Sequence, residues 1–401
     1  MKYAVILGDG MADEPIHALG GKTPLAFAHT PIMDALSQTG EVGLAKTIPT
    51  GMKPGSDTAN LAVLGYDPEI YYSGRSPLEA LSIGVDMLPT DIALRCNTVT
   101  ISDEPGIPYA KRTIIDHSAD EIFTEDAAVL IEAVRPVFEN ETYHFYVGTS
   151  YRHCLIWSKG VVQDITPPHD ILGKVIGDYL PEDPVLRGMM EKSFDILDQH
   201  PLNIARAKAG KNKANSLWFW GAGTRPALSS FTGKTGKKGA MVSAVDLLKG
   251  IAVGAGMQVL HVEGATGGLT TNYEGKAAAA AKALLEDGND FVYIHVEAPD
   301  EMGHQGILEH KVQAIENLDG RVIQPLYEAL CASGEAFRLL IMPDHPTPLR
   351  LRTHTGDPVP YLLYDSTKTL GKGLPYSEEA AQHSGIYVEK GYTLIDHLLN
   401  G

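Results

Sequence analysis

Short apolar runs recur along the chain and predict its buried strands. Each is rich in β-branched or aromatic side chains and is bounded by Gly, Asp or Pro, which is typical of strands inside a sheet. They occupy residues 3–7, 42–47, 257–262, 291–296, 337–342 and 359–364. Between them, amphipathic or alanine-rich segments predict helices at residues 243–253, 274–286, 309–332 and 394–400. This alternation predicts an α/β domain with a doubly wound, mostly parallel sheet.

Two shorter helices are predicted near the amino terminus. Thr30-Pro31 has the form of a helix start, with Thr as N-cap and Pro at the first helical position. A Pro-Gly turn at residues 54–55 is followed by a helix-like segment that ends near Gly65. Ser56 therefore lies at the amino end of a predicted helix.

The middle of the chain has a different pattern. Residues 91–101, 143–147, 153–157 and 217–220 read as strands of alternating polarity, and residues 118–134 and 186–200 as amphipathic helices. This α+β pattern interrupts the β/α alternation. We therefore predict two domains, a core of residues 1–70 and 241–401 and an inserted domain of residues 71–240, as suits a chain of 401 residues.

Composition narrows the class of protein. The formal charge of −17 argues against a general nucleic-acid binder. No run approaches the ~18 apolar residues of a membrane span, and the three cysteines indicate no disulfide framework. We expect a cytoplasmic protein with reduced thiols.

Acidic and imidazole side chains follow three of the predicted strands. Asp9 follows the first, Asp300 and His304 follow run 291–296, and Asp344 and His345 follow run 337–342, with His354 shortly behind. A parallel sheet brings the carboxyl ends of its strands to one edge. These donors are too many for one small cation with an open position and suit two cations about 3.5–4 Å apart. Carboxylate and imidazole favour Mn²⁺ or Zn²⁺, with Mg²⁺ possible.

Ser56 has two interpretations. It is either an N-cap or a nucleophile whose phosphoryl adduct the positive helix end would stabilise. Two metals beside it would permit phosphoryl transfer, one lowering the pKa of the hydroxyl and the other holding phosphate oxygens.

An ordered set of motifs resembles one family. The motifs are Gly8-Asp9-Gly10-Met-Ala-Asp13, Gly55-Ser-Asp-Thr-Ala-Asn60, Gly74-Arg-Ser-Pro-Leu-Glu-Ala80, Asp116-His-Ser118, Ser150-Tyr-Arg-His153, Ala298-Pro-Asp300 with His304, Pro343-Asp-His345 and His354. Together they resemble the archaeal-type cofactor-independent phosphoglycerate mutases of the alkaline phosphatase superfamily. The resemblance covers essentially the whole chain and implies an alkaline-phosphatase-like core with an inserted, substrate-capturing lid.

The resemblance also implies a role for each site residue. Ser56 resembles the nucleophile that becomes phosphoserine. One metal site would comprise Asp9, Ser56, Asp344 and His345, and the other Asp300, His304 and His354. The glycerate part of a small phosphorylated substrate would be oriented, and its protons moved, by Arg152, His153 and Asp116. Its anionic groups would meet Arg75, Arg225 and Lys276.

Alternatives remain for the substrate. The expected reaction interconverts 2- and 3-phosphoglycerate. Gly74-Arg-Ser-Pro77 has Ser where the archaeal mutases tend to have Gly, and here it resembles a bacterial branch proposed to act as homoserine kinases. A metal-dependent phosphatase would use the same core.

Overall fold

Two structural units make up the chain, and the computed structural model describes all of residues 1–401. Residues 1–72 and 228–401 form the core unit, and residues 73–227 form the inserted unit. The sequence put the second boundary at residue 240, whereas the structure assigns the segment from residue 228 onwards to the core unit. Within that segment, the Phe231 amide donates to the Ala255 carbonyl at 2.8 Å.

The secondary structure comprises thirteen strands and sixteen α-helices. The strands are β1 (Lys2–Gly8), β2 (Glu41–Ala45), β3 (Ile92–Ile101), β4 (Ile114–Asp116), β5 (Tyr143–Tyr146), β6 (Arg152–Trp157), β7 (Ser216–Thr224), β8 (Gly239–Val242), β9 (Gln258–Leu260), β10 (Phe291–Val296), β11 (Phe337–Met342), β12 (Val359–Asp365) and β13 (Tyr387–Val388). The helices are α1 (Pro24–Phe27), α2 (Pro31–Ser37), α3 (Ser56–Val63), α4 (Pro68–Tyr71), α5 (Arg75–Ser82), α6 (Thr124–Phe138), α7 (Pro184–Leu197), α8 (Pro201–Lys208), α9 (Phe231–Thr235), α10 (Asp246–Gly254), α11 (Tyr273–Leu285), α12 (Ala298–Gln305), α13 (Leu308–Leu318), α14 (Gln324–Ser333), α15 (Glu378–His383) and α16 (Leu394–Asn400).

The core unit is built on an eight-stranded sheet in the order β13-β2-β12-β11-β1-β10-β8-β9. All neighbouring pairs are parallel except those of β12, which runs antiparallel to both β11 and β2. The predicted mostly parallel α/β sheet is confirmed. The apolar runs form its centre because β1, β10 and β11 are almost completely buried.

The register of the sheet positions the site. Gly8 at the end of β1 lies opposite Val296 at the end of β10, and Leu7 lies opposite Met342 at the end of β11. The segments that follow these three adjacent strands therefore leave the same edge of the sheet.

Three details of the core differ from the prediction. Thr30 does not cap α2 with its side chain; the carboxylate of Asp319 accepts the amides of Ile32 and Met33 instead, at 3.1 and 2.7 Å. The single helix predicted at residues 309–332 is interrupted by a π-helical turn, Asp319–Ile323, which contains that carboxylate. The segment around Asp300, predicted only to turn, forms helix α12.

The inserted unit contains a five-stranded antiparallel sheet centred on β3, which pairs with β4, β6 and β7, while β5 pairs with β6. The expectation of alternating polarity is wrong for β3, because every residue of this central strand is buried. The helix predicted from residue 118 begins only at Thr124. Ala119, Asp120 and Glu121 have positive φ angles of 50°, 57° and 49°, which an α-helix does not allow.

No helix in the structure has the length and apolar character that crossing a membrane requires.

Candidate active site

Asp9 follows β1 directly and is buried. Its Oδ2 lies 2.9 Å from His295 Nε2, while its Oδ1 is buried without a hydrogen-bond partner. Burial raises the pKa of Asp9 well above its ordinary value, and the nearby carboxylates of Asp344 and Asp300 raise it further.

Asp344 and His345 follow β11 and are completely buried. The Asp344 carboxylate accepts hydrogen bonds from the Gly10 amide at 3.1 Å, the His345 amide at 2.9 Å and Asn60 Nδ2 at 2.8 Å. Gly10 has a φ of +58°, and a Cβ atom there would lie 2.4 Å from Asp300 Oδ1. Only glycine therefore lets the loop after β1 approach the loops that bear the other carboxylates.

Helix α12 presents Asp300 and His304 one turn apart. His304 Nε2 lies 3.1 Å from Asp300 Oδ2, and His354 Nε2 lies 3.5 Å from Asp300 Oδ1. Burial raises the pKa of Asp300, but hydrogen bonds from both histidines outweigh it and the pKa lies below its ordinary value. The hydrogen bond to Asp300 raises the pKa of His304 to about 9.

Ser56 is the first residue of α3, and Gly55 occupies the N-cap position, so the N-cap interpretation of Ser56 is wrong. Its half-buried side chain places Oγ 3.2 Å from His345 Nε2. The hydroxyl thus lies at a helix amino end, where the dipole favours negative charge, and next to the buried histidine and carboxylates.

The candidate metal ligands form three groups, and within each group the ligand atoms all lie within 4.8 Å of one another. These are Asp300-His304-His354, Asp9-His295-Asp344 and Asp9-Asp300-His345. Three mutually close, buried carboxylates disfavour one another's charged forms unless a cation compensates them. Asp9 Oδ1, which is buried without a hydrogen-bond partner, also requires a compensating positive charge. The residues therefore fit divalent cations, and the individual ligand assignments stay predictions.

Four further residues complete this region, and the sequence assigned no role to them. His295 contacts Asp9, Thr347 Oγ1 donates to Asp300 Oδ1, and the Tyr293 hydroxyl donates to Asn60 Oδ1. His295 and Tyr293 lie in the apolar strand β10. A polar side chain inside a fully buried strand requires a hydrogen-bond partner. The histidine and the tyrosine within this apolar run were therefore the sequence signal for these contacts.

In the inserted unit, the predicted catalytic residues have distinct environments. The Asp116 carboxylate accepts the Ser118 amide at 2.9 Å and the Asp120 amide at 2.6 Å, and so stabilises the left-handed turn. Arg152 is exposed and the adjacent His153 is buried. Burial lowers the pKa of His153 to about 3, and its Nε2 has no hydrogen-bond partner. Their roles stay predictions.

The three predicted anion-binding residues belong to both units and have different environments. Arg75 pairs with Glu79 at 2.8 Å, and Arg225 is exposed after β7. Lys276, in the core unit, is completely buried and its Nζ donates to the His295 carbonyl at 3.0 Å. Arg95, which also lies in the inserted unit, pairs with Glu79 at 3.0 Å. Burial lowers the pKa of Arg95, and the charges of Arg75 and Arg152 lower it further.

Ser76, the residue that departs from the archaeal pattern, has a structural explanation. Its buried hydroxyl donates to the Gly221 carbonyl and accepts the Arg95 amide at 3.1 Å. The pairing of β3 with β7 shifts register between Ala93 and Arg95, and the serine satisfies backbone groups at that irregularity. The serine therefore has a structural role in this sheet.

Comparison with known proteins identifies the family. A family model described as 2,3-bisphosphoglycerate-independent phosphoglycerate mutase matches residues 37–203. A protein of that name from Methanosarcina barkeri is 48% identical over 100% of this chain and 99% of its own. The chain belongs to the 2,3-bisphosphoglycerate-independent phosphoglycerate mutase family.

Two solved structures resemble this family member along its whole length. A cofactor-independent phosphoglycerate mutase from Thermoplasma acidophilum is 28% identical, with a TM-score of 0.67, and the match covers 100% of this chain and 99% of that one. A protein from Pyrococcus horikoshii is 29% identical, with a TM-score of 0.81, covering 100% and 96%. The expected family and the α/β fold are confirmed.

Proposed function

We propose that this protein is a metal-dependent isomerase that interconverts 2-phosphoglycerate and 3-phosphoglycerate through a phosphoserine at Ser56. The observation that carries the proposal is the position of Ser56 Oγ, 3.2 Å from His345 Nε2 at the start of α3. The names of two relatives supply the substrate, since the proteins from Methanosarcina barkeri and Thermoplasma acidophilum are phosphoglycerate mutases.

Two divalent cations are proposed, with Mn²⁺ or Zn²⁺ favoured by the mixture of carboxylate and imidazole donors. Asp9, Ser56, Asp344 and His345 would hold one, and Asp300, His304 and His354 the other. When bound, they would supply the positive charge that favours an ionised serine hydroxyl and binds phosphate oxygens.

The chain's own groups account for the two transfers. Ser56 loses its hydroxyl proton and its Oγ attacks phosphorus, the bond from phosphorus to the glycerate oxygen breaks, and that oxygen takes up a proton. The other glycerate hydroxyl then loses a proton and attacks the phosphoserine, and Ser56 Oγ leaves and takes up a proton. The amides and dipole at the start of α3 favour the negative phosphoryl group throughout.

The inserted unit is proposed to hold the glycerate between the transfers. Arg152, His153 and Asp116 would orient it and move its protons, and Arg75, Arg225 and Lys276 would contact its anionic groups. The positive charges of Arg75 and Arg152 lower the pKa of the nearby Arg95, and this concentration of positive charge supports an anion-binding region in this unit. The free cysteines are consistent with the proposed cytoplasmic location.

A coupled assay tests the proposal. The purified protein, loaded with Mn²⁺, is given 3-phosphoglycerate without bisphosphoglycerate, and formation of 2-phosphoglycerate is followed. Absence of turnover together with ATP-dependent phosphorylation of homoserine would overturn the assignment. Release of free phosphate from both phosphoglycerates would identify a phosphatase instead.

The variant Ser56→Ala tests the phosphoserine. It is expected to fold and bind metal while losing activity by on the order of 10⁴-fold or more. A Ser56→Ala variant that retains wild-type turnover would exclude the covalent intermediate.

A further inference from the structure

His295 is a completely buried imidazole in the apolar strand β10. Neither the resemblance nor the reaction proposed above gives it a role. Burying a polar ring in an apolar strand costs free energy unless both nitrogens find partners. Its contacts therefore indicate what it does.

Both ring nitrogens of His295 are engaged. Nε2 lies 2.9 Å from Asp9 Oδ2, and Nδ1 lies 3.3 Å from Ser243 Oγ. When a cation compensates its charge, the Asp9 carboxylate is ionised and only accepts hydrogen bonds, so Nε2 has the proton. Ser243 Oγ already accepts the Val245 amide at 3.0 Å, which leaves its own hydroxyl proton for Nδ1. The chain Ser243–His295–Asp9 thus fixes the tautomer of the ring from both ends.

The two carboxylate oxygens of Asp9 have different environments, because only Oδ2 contacts His295. Oδ2 is bound to the imidazole, whereas Oδ1 is buried without a hydrogen-bond partner and lies 3.5 Å from His345 Nε2. The main chain of Asp9 is held by the same strand, because its amide donates to the Val296 carbonyl at 2.9 Å. Strand β10 therefore restrains both the backbone and the rotation of the carboxylate.

The backbone of His295 is itself restrained. Its carbonyl accepts the buried Lys276 ammonium at 3.0 Å. His295 also pairs with Leu7 of β1, and the preceding residue of β10, Ile294, pairs with Val242 of β8. The imidazole is thus a rigid support, unlike a side chain on a loop.

We propose that His295 is a positioning residue that fixes Asp9 Oδ2 and so presents Oδ1 to a divalent cation. The inference rests on the proposed use of metal and not on phosphoglycerate as substrate. Because neither nitrogen retains a free lone pair in this arrangement, His295 itself is not a ligand.

The test measures metal binding by the full chain. Affinities for two equivalents of Mn²⁺ are compared by calorimetry for the wild type, His295→Leu, His295→Gln and Ser243→Ala, with exposed His310→Gln as the matched control. His295→Leu is expected to weaken one of the two sites about 10–100-fold, the magnitude usual for groups that orient a metal ligand. Ser243→Ala should weaken the same site less, and the control should match the wild type.

His295→Gln and the visible spectrum of bound Co²⁺ provide two further tests. Gln can still donate an N–H to Asp9, so His295→Gln should recover most of the lost affinity, and it can be measured even if the Leu variant fails to fold. With Co²⁺ as the probe, the visible spectrum of the loaded Gln variant should keep the wild-type band positions. Affinities of the Leu variant within threefold of wild type overturn the inference. A Gln variant that loses 10-fold or more at either site also overturns it, because its N–H should still position Asp9.

A changed Co²⁺ spectrum that shows the loss of a nitrogen ligand also overturns it, because His295 would then bind the metal directly. The mutase assay of the wild type is run in parallel. A wild type that binds two cations but does not isomerise phosphoglycerate refutes the proposed function and leaves the positioning inference to be judged by affinity alone.

Discussion

Lys311 and Asp13 form an ion pair that is sealed from solvent, with Nζ 2.8 Å from Oδ2 and side-chain exposures of 0% and 1%. The same ammonium donates to the Thr347 carbonyl at 2.8 Å. Asp13 belongs to the segment after β1 that contains Asp9, and Thr347 to the segment after β11 that contains Asp344. A single lysine on α13 thus joins the two loops that contain Asp9 and Asp344, two of the proposed metal ligands.

Removing this lysine should destabilise the fold. Lys311→Met leaves the Asp13 carboxylate buried without its partner, which typically costs about 3–5 kcal/mol. The free energy of unfolding is measured by urea denaturation, with Arg350→Met as the control because it breaks the exposed pair with Glu14. Adding Asp13→Leu should recover much of the loss. Equal stability of the Lys311 and Arg350 variants would contradict the prediction.

Asn60 should be needed for catalysis although it does not react. Its Nδ2 donates to Asp344 Oδ2 and to the Ser56 carbonyl, both at 2.8 Å, so it joins the helix of the proposed nucleophile to a proposed metal ligand. Asn60→Leu is expected to lower kcat about 10–100-fold with little change in KM for 3-phosphoglycerate.

Tyr293→Phe alters the same hydrogen-bond network by a smaller change than Asn60→Leu. It removes only the hydroxyl that donates to Asn60, while both Asn60 donors remain. It should therefore lower kcat less than Asn60→Leu does. A larger effect of the tyrosine variant, or a change confined to KM, would refute this order.

The buried Lys276 should make stability depend on pH. Burial lowers its pKa from 10.5 to about 8, so between these values the unfolded chain binds more protons than the folded one. Stability therefore rises with pH through this window. Relative to Lys276→Met, the wild type should gain on the order of 2 kcal/mol in unfolding free energy between about pH 7.5 and 9.5. A difference between the two proteins that is constant with pH would exclude the lowered pKa.

Ser76→Gly should affect stability and not the choice of substrate. The change leaves the Arg95 amide and the Gly221 carbonyl without the buried hydroxyl, at a cost of about 1–3 kcal/mol. Ser73→Gly, which removes a half-buried hydroxyl, is the control and should cost less. Homoserine should remain unphosphorylated in both. A gain or loss of homoserine phosphorylation in Ser76→Gly would show that the position determines the substrate.

Much of the core was predictable from local pattern. The strands around Val5, Ile294 and Leu340 were correct because solid apolar runs occur where both faces of a sheet are covered. The inserted unit was less predictable. Asp120 adopts a left-handed conformation that the helical periodicity around it does not indicate, and β3 is buried by neighbours far away in the sequence.

The sequence by itself determined which side chains follow the carboxyl ends of the strands, and hence Asp9, Asp300 and Asp344 as candidates. It did so because apolar runs and the polar residues that end them are local signals. Only the tertiary structure decided the supports of these residues: His295 for Asp9, Asn60 for Asp344 and Lys311 for the two loops. Each of these supports has a partner more than 280 residues away in the sequence. Their proximity depends on the order and register of the strands, which no local periodicity contains.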